Sequence, residues 1–262
     1  MHDIEEKKAG AHGWAAWNAF LVWVHPHHEF YQVFESQFAY AVEQSASIES
    51  TERSSERPMH HLGEHLMVLY GRGYLSLDEG GVLRRFLEIA NADVRRHAIG
   101  FVGQSLDGGA TVPSAIVLRF EKLWDFYWAN QGKEDTEKYP DAWLFGTWFS
   151  SGKFTAEWAL DRLLQFVEVS ATPQPDHVIA DKLAELADVD LAKSTQILDK
   201  MIRGDKEGWR IHSWESGAMR ILALALGAQG ETQRIAAKLI NYLGRRGYGQ
   251  FGQLLTPRQV SE

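Results

Sequence analysis

Cysteine is absent from this chain of 262 residues, which excludes disulfides and thiolate metal sites and fits a reducing cytoplasm. Long apolar runs are missing too. The longest, Ala15 to Val24, is interrupted by Asn18 and falls far short of the roughly 18 to 20 residues that a membrane-spanning helix needs, so no membrane contact is expected. The opening, MHDIEEKKAGAHGW, lacks a basic segment leading into an apolar one. No secretory signal is read there, and a cytoplasmic location is expected. Positive charge is in deficit: the formal net charge is -8, which tells against nucleic acid as the main partner, since phosphate binding draws on clustered Lys and Arg. No segment matches GxxxxGK[ST], so no phosphate-binding loop is present and no cofactor is called for. Sustained alternation of apolar and polar residues, the mark of strands, is lacking as well.

What is present is helical periodicity in an ordinary composition, 45% hydrophobic and 24% charged. The clearest stretch runs from Gly204 to Leu243. Trp214, Ala218, Ile221, Leu222 and Ala225 recur at three- and four-residue steps, with Ser213 placed to cap the helix. After the turn Gly227 to Gly230, a second stripe follows: Ile235, Ala236, Leu239, Ile240 and Leu243, stopped by Gly244. Neither helix can bury its stripe alone, so the pair must stack on neighbours.

The same unit recurs along the chain. Gly10 to Val24 carries Trp14, Trp17 and Leu21 and ends at Pro26; His27 to Ala46 carries Phe30, Phe34, Phe38 and Ala41. The Ser-rich segment Ser45 to Arg57 reads as a loop that separates a helix pair at 1–47 from a repeat region at 58–262, the two forming one continuous domain. Pro58 opens a helix with Leu62, Leu66 and Leu69 inside; further helices begin near Asp78, at Asn91 and at Pro113. Gln131 to Lys138 reads as a surface loop. Pro140, Thr155, Asp176 and Asp190 start the next helices, with Pro173 and Pro175 between units. About a dozen helices, paired every 35 to 45 residues or so, predict an all-α fold: an irregular, HEAT-like α-solenoid of stacked antiparallel helix pairs, with an irregular bundle as the alternative.

The segments HHLGEHLMVLY (60–70), WLFGTWFSSGKFTAEWALDRL (143–163) and GDKEGWRIHSWESGAMRIL (204–222), with NYLGRRGY (241–248), resemble the C-terminal helical region of large bacterial STAND-type NTPases and related anti-phage conflict proteins. The resemblance implies a sensor or scaffold arm without catalytic residues. Its partner would be a protein, namely an NTPase or effector module.

Two clusters invite a chemical reading. His61, Glu64 and His65 match H-x-x-E-H, the zinc-peptidase pattern of two histidines one turn apart with a carboxylate as base. Zinc would need a third ligand, and Glu88 or Glu121 are undistinguished candidates. His25, His27 and His28 read as a polar helix start. Trp209, Arg210, His212 and Trp214 place two large rings around a guanidinium and an imidazole at a helix N-terminus, where an anion or a partner can dock. The plainer reading has both tryptophans plugging the seam between helix pairs, with Arg210 paired to Glu207 or Glu215. Arg234, Lys238, Arg245 and Arg246 form one basic patch, which also complements a helix dipole. The expected role is therefore a non-catalytic binding scaffold, with a zinc-dependent hydrolase and a nucleic-acid-binding repeat as alternatives.

Overall fold

A computed structural model describes residues 11–44, 58–107, 111–130, 142–169, 173–208 and 210–255. These contain helices and no strand, so the all-α expectation holds. No described helix is long and apolar enough to cross a membrane. The chain divides into two compact units, Met1–Thr136 and Glu137–Glu262.

In the first unit the helices are α1 (Ala11–Trp23), α2 (His28–Gln44), α3 (Pro58–Gly71), α4 (Val82–Ile89), α5 (Ala92–Leu106) and α6 (Ser114–Asn130). The second holds α7 (Ala142–Ser150), α8 (Ala156–Val169), α9 (Asp176–Leu186), α10 (Leu191–Gly204), α11 (Ile211–Gly227) and α12 (Glu231–Arg245), then a 3-10 helix, Gly249–Leu255. The segments Ser45 to Arg57 and Gln131 to Lys138, together with Gly108 and Gly109, lie outside the described residues. So do Trp209 and the side chains of Trp14 and Trp143.

Most helices pack against the helix two further along the chain: α1 on α3, α3 on α5 and α2 on α4 in the first unit, and α7 on α9, α9 on α11, α8 on α10 and α10 on α12 in the second. Cross-helix contacts fix the sense of two of these pairs. Lys193 of α10 meets Asp161 of α8, and Lys200 meets Glu168. Both pairs advance in the same direction along both helices, which happens only if α8 and α10 run parallel. His60–Asp93 and Glu64–His97 do the same for α3 and α5. Sequential neighbours α7 and α8, α9 and α10, and α11 and α12 also touch.

The buried stripes largely follow the sequence periodicity: Leu62, Leu66, Leu69, Trp214, Ala218, Ile221, Leu222 and Ala225 are all at or below 1% exposure. One face departs. In α2 the non-helical backbone of Phe34 (φ -112°, ψ 18°) interrupts the regular turn. It puts the two halves of the helix out of phase, so Tyr31 is buried and Phe30 is 46% exposed. Three boundaries also differ from the periodic reading. The helix expected near Asp78 starts at Val82, because Gly80 takes φ +78° and the Gly81 N–H closes a turn onto the Asp78 carbonyl. Ser213 is not the cap of α11; it lies in the first turn, its hydroxyl donating to the Arg210 carbonyl. Gly244 does not stop α12 either. The helix runs on to Arg245, one residue beyond it, and Arg246 caps it before Gly247 takes φ +93°.

That ending is built twice. After α3, the Tyr74 N–H donates to Leu69 O and the Gly73 N–H to Tyr70 O, with Gly73 at φ +87°. After α12, Tyr248 donates to Leu243 O and Gly247 to Gly244 O. This is the Schellman arrangement, which needs a left-handed residue that glycine supplies without strain. In both, the preceding arginine reaches main-chain carbonyls of an earlier loop: Arg72 to Pro26 O at 2.6 Å, Arg246 to Asp205 O at 2.7 Å and Lys206 O at 2.8 Å. In both, the following tyrosine packs its ring on a histidine at the start of an earlier helix, Tyr74 on His28 and Tyr248 on His212. The triplet Arg-Gly-Tyr thus ties one helix end to an earlier helix start in each unit.

Candidate functional site

Helices α3 and α5 approach closely because Gly63 presents no side chain: a Cβ there would stand 2.7 Å from the Ala98 Cβ. The face beside this notch gathers five titratable groups. Glu64 uses both carboxylate oxygens, accepting from His61 Nδ1 at 3.0 Å and from His97 Nε2 at 2.7 Å. His60 Nε2 lies 3.2 Å from Asp93 Oδ2. The rings of His60 and His97 stack at 4.1 Å between centroids, 10° from parallel. Burial would raise the Glu64 pKa, but the hydrogen bonds from His97 and His61 outweigh it and hold the carboxyl below its ordinary value.

His65 belongs to none of this. Its ring is buried against α1, and its Nε2 donates to the Leu21 carbonyl at 2.6 Å. Although 61 and 65 are one turn apart, their side chains are held by different partners. Among the described residues no three His, Asp or Glu side chains are placed to hold a metal ion. For the hydrolase reading this matters twice: zinc needs histidine nitrogens turned to a common point, and the Glu64 oxygens that would serve as base already accept two hydrogen bonds. His60, Asp93 and His97 were not singled out by the sequence, because their pairing crosses between helices and leaves no pattern within either one.

Burial against α1 disfavours the charged form of His65 and lowers its pKa from 6.5, with the bond to Leu21 opposing. The sign follows. The unfolded chain takes up a proton below about pH 6.5 while the folded one does not, so stability is full above that pH and is lost as the pH falls toward the folded pKa. A thermal melt taken from about pH 7.5 to about 5.5 should show a falling midpoint. His65→Gln, which keeps a neutral donor for Leu21 O, should flatten that fall; an unchanged slope would remove His65 as its source.

The second cluster is only partly assembled. Trp214 is fully buried, and its Nε1 has no hydrogen-bond partner among the described residues. The Arg210 guanidinium faces Asp176 of α9 at 3.9 Å rather than Glu207 or Glu215; Glu215 instead accepts from Gln250. The reason is the fold: α9 lies beside α11 and brings Asp176 to its N-terminus. His212 has its ring edge on Tyr248. The loop entering α11 is organised by Asp205, 5% exposed, whose carboxylate accepts from the Gly208 and Arg210 N–H groups. Trp214 and His212 thus serve the junction of α11 with its neighbours. The basic patch is also partly spent, with Arg246 in the carbonyls described above and Arg234 on Glu231.

Compared with protein-family models, curated proteins and solved structures, the chain matches none of them.

Proposed function

We propose that this chain is a non-catalytic helical-repeat scaffold or sensor arm, an irregular HEAT-like α-solenoid that recognises a protein partner in the cytoplasm. What supports the reading is the packing of alternate helices, α7–α9–α11 beside α8–α10–α12, with ion pairs advancing in the same direction between α8 and α10 and between α9 and α11. Two layers grown in this way are how repeat proteins extend a core, and they leave long surfaces for recognition. The resemblance to STAND-type helical regions points to an NTPase or effector module of a bacterial defence system as that partner. The hydrolase alternative is less well supported because Glu64 and His65 are engaged with His61, His97 and Leu21. The nucleic-acid alternative has the net charge of -8 against it.

The test is co-expression with the product of the adjacent reading frame. Stoichiometric co-elution that survives moderate salt is the expected result. Zinc should be substoichiometric by mass spectrometry, and a chelator should leave the melting midpoint unchanged. Tightly bound zinc with peptide turnover, or a salt-sensitive shift of duplex DNA in place of co-elution, would overturn the scaffold reading.

A further inference from the structure

Between α3 and α4 the chain is held in a fixed turn by the Arg72-Gly73-Tyr74 ending and by the Gly80–Gly81 turn. This segment forms one wall of a cleft of about 410 Å³, a volume within the range of small-ligand sites. The opposite wall is a single face of α6: Ala115, Leu118, Arg119 and Lys122 recur at three- and four-residue steps and all line the cleft, as helical neighbours should. Ser76 and Asp78 stand across from them, and the buried ring of Tyr70 lies beneath.

The side chains of this cleft have spare bonding capacity. Lys122 is exposed, with no hydrogen bond or ion pair among the described residues. Arg119 spends one donor on the Leu75 carbonyl at a long 3.5 Å and rests its guanidinium 5.8 Å from the Tyr70 ring. A guanidinium has five N–H donors in a planar fork, so most remain for a ligand. Leu118 is 54% exposed although it lies on a helix whose other face is core. Two adjacent cations beside an apolar strip suit a ligand with one anionic head and an apolar body. Asp78 on the facing lip restricts the class further. It repels polyanions and favours a head that lies against α6, with the body along Leu118, Ala115 and Leu77.

We infer that this cleft binds a small amphipathic monoanion, a carboxylate or sulfonate carried on an apolar body, with Arg119 and Lys122 holding the head. The inference concerns the first unit alone and does not depend on the scaffold reading. It is tested on the full chain by fluorescence titration with 8-anilinonaphthalene-1-sulfonate. The parent should bind one dye per chain saturably, and octanoate should displace it while neutral octyl glucoside does not. Lys122→Glu and Leu118→Asp, both at exposed positions, should each weaken dye binding about tenfold or more without moving the melting midpoint. Arg119→Gln should do the same, but its contact with Tyr70 makes it the less clean variant. Arg85→Gln, exposed and outside the cleft lining, is the control and should bind as the parent. The inference is overturned if the parent shows no saturable binding, if octyl glucoside competes as well as octanoate, or if Lys122→Glu and Leu118→Asp bind as the parent does.

Discussion

Trp214→Ala is expected to cost about 3 to 5 kcal/mol, the usual loss when a large buried side chain is cut to a methyl. The ring is fully buried, in a helix that packs on α9, α10 and α12 at once, so no single neighbour can close the space. For a chain of this size the loss corresponds to a drop in the melting midpoint on the order of 6 to 20 °C. Trp214→Phe should cost clearly less. It keeps most of the apolar ring and removes an indole N–H that has no partner among the described residues, and an unsatisfied buried donor is itself unfavourable. Arg210→Ala should also do less, because its ion pair to Asp176 is long at 3.9 Å and its side chain is 34% exposed. Thermal melts of the three variants check the ordering. If Trp214→Ala melts within a degree or so of the parent, the tryptophan is not part of the seam.

Gly146→Ala is expected to be as damaging, for the opposite reason. A Cβ at this position in α7 would stand 1.7 Å from the Gln174 carbonyl oxygen and 2.6 Å from its carbon. Both atoms are main chain and cannot swing away. The added methyl must push α7 and the segment entering α9 apart, an overpacking error of about 3 kcal/mol or more. Gly217→Ala repeats the test where α11 crosses α9, since its Cβ would be 2.5 Å from the Ala180 carbonyl oxygen. Gly227→Ala is the control. It ends α11 with nothing within 4 Å of the added Cβ, so the change should be neutral or slightly stabilising through helix propensity. A chemical-denaturant series reads all three; equal midpoints for Gly146→Ala and Gly227→Ala would refute the close approach.

Much of the fold can be read from the chain itself. Apolar residues at three- and four-residue steps, with Asn91 and Asp190 capping their helices through side-chain bonds to Asp93 N and Lys193 N, state where helices form. This information is local: a side chain's burial follows from its angle on the helix, and a cap from the few residues after it. The same locality explains where such reading stops. Periodicity assumes an unbroken turn, and so could not foresee that Phe34 would shift the face of α2. It cannot distinguish Gly244, which is helical, from Gly247, which takes the left-handed backbone. The repeated Arg-Gly-Tyr triplet is visible as letters, yet nothing nearby in the sequence says that Arg72 reaches Pro26 or that Arg246 reaches Asp205.

The site divides in the same way. The sequence alone determined that His61, Glu64 and His65 share a helix, because spacing fixes that. Only the tertiary structure decided that Glu64 faces His97 while His65 faces the Leu21 carbonyl, since those partners arrive from α5 and α1, 33 and 44 residues away. It likewise gave Arg210 to Asp176 and placed Lys122 and Arg119 across a cleft from Asp78. A helix turn specifies what its own residues can offer, but the chemistry of a group depends on which other helix stands opposite. That choice is made by the packing of notches and stripes from distant parts of the chain.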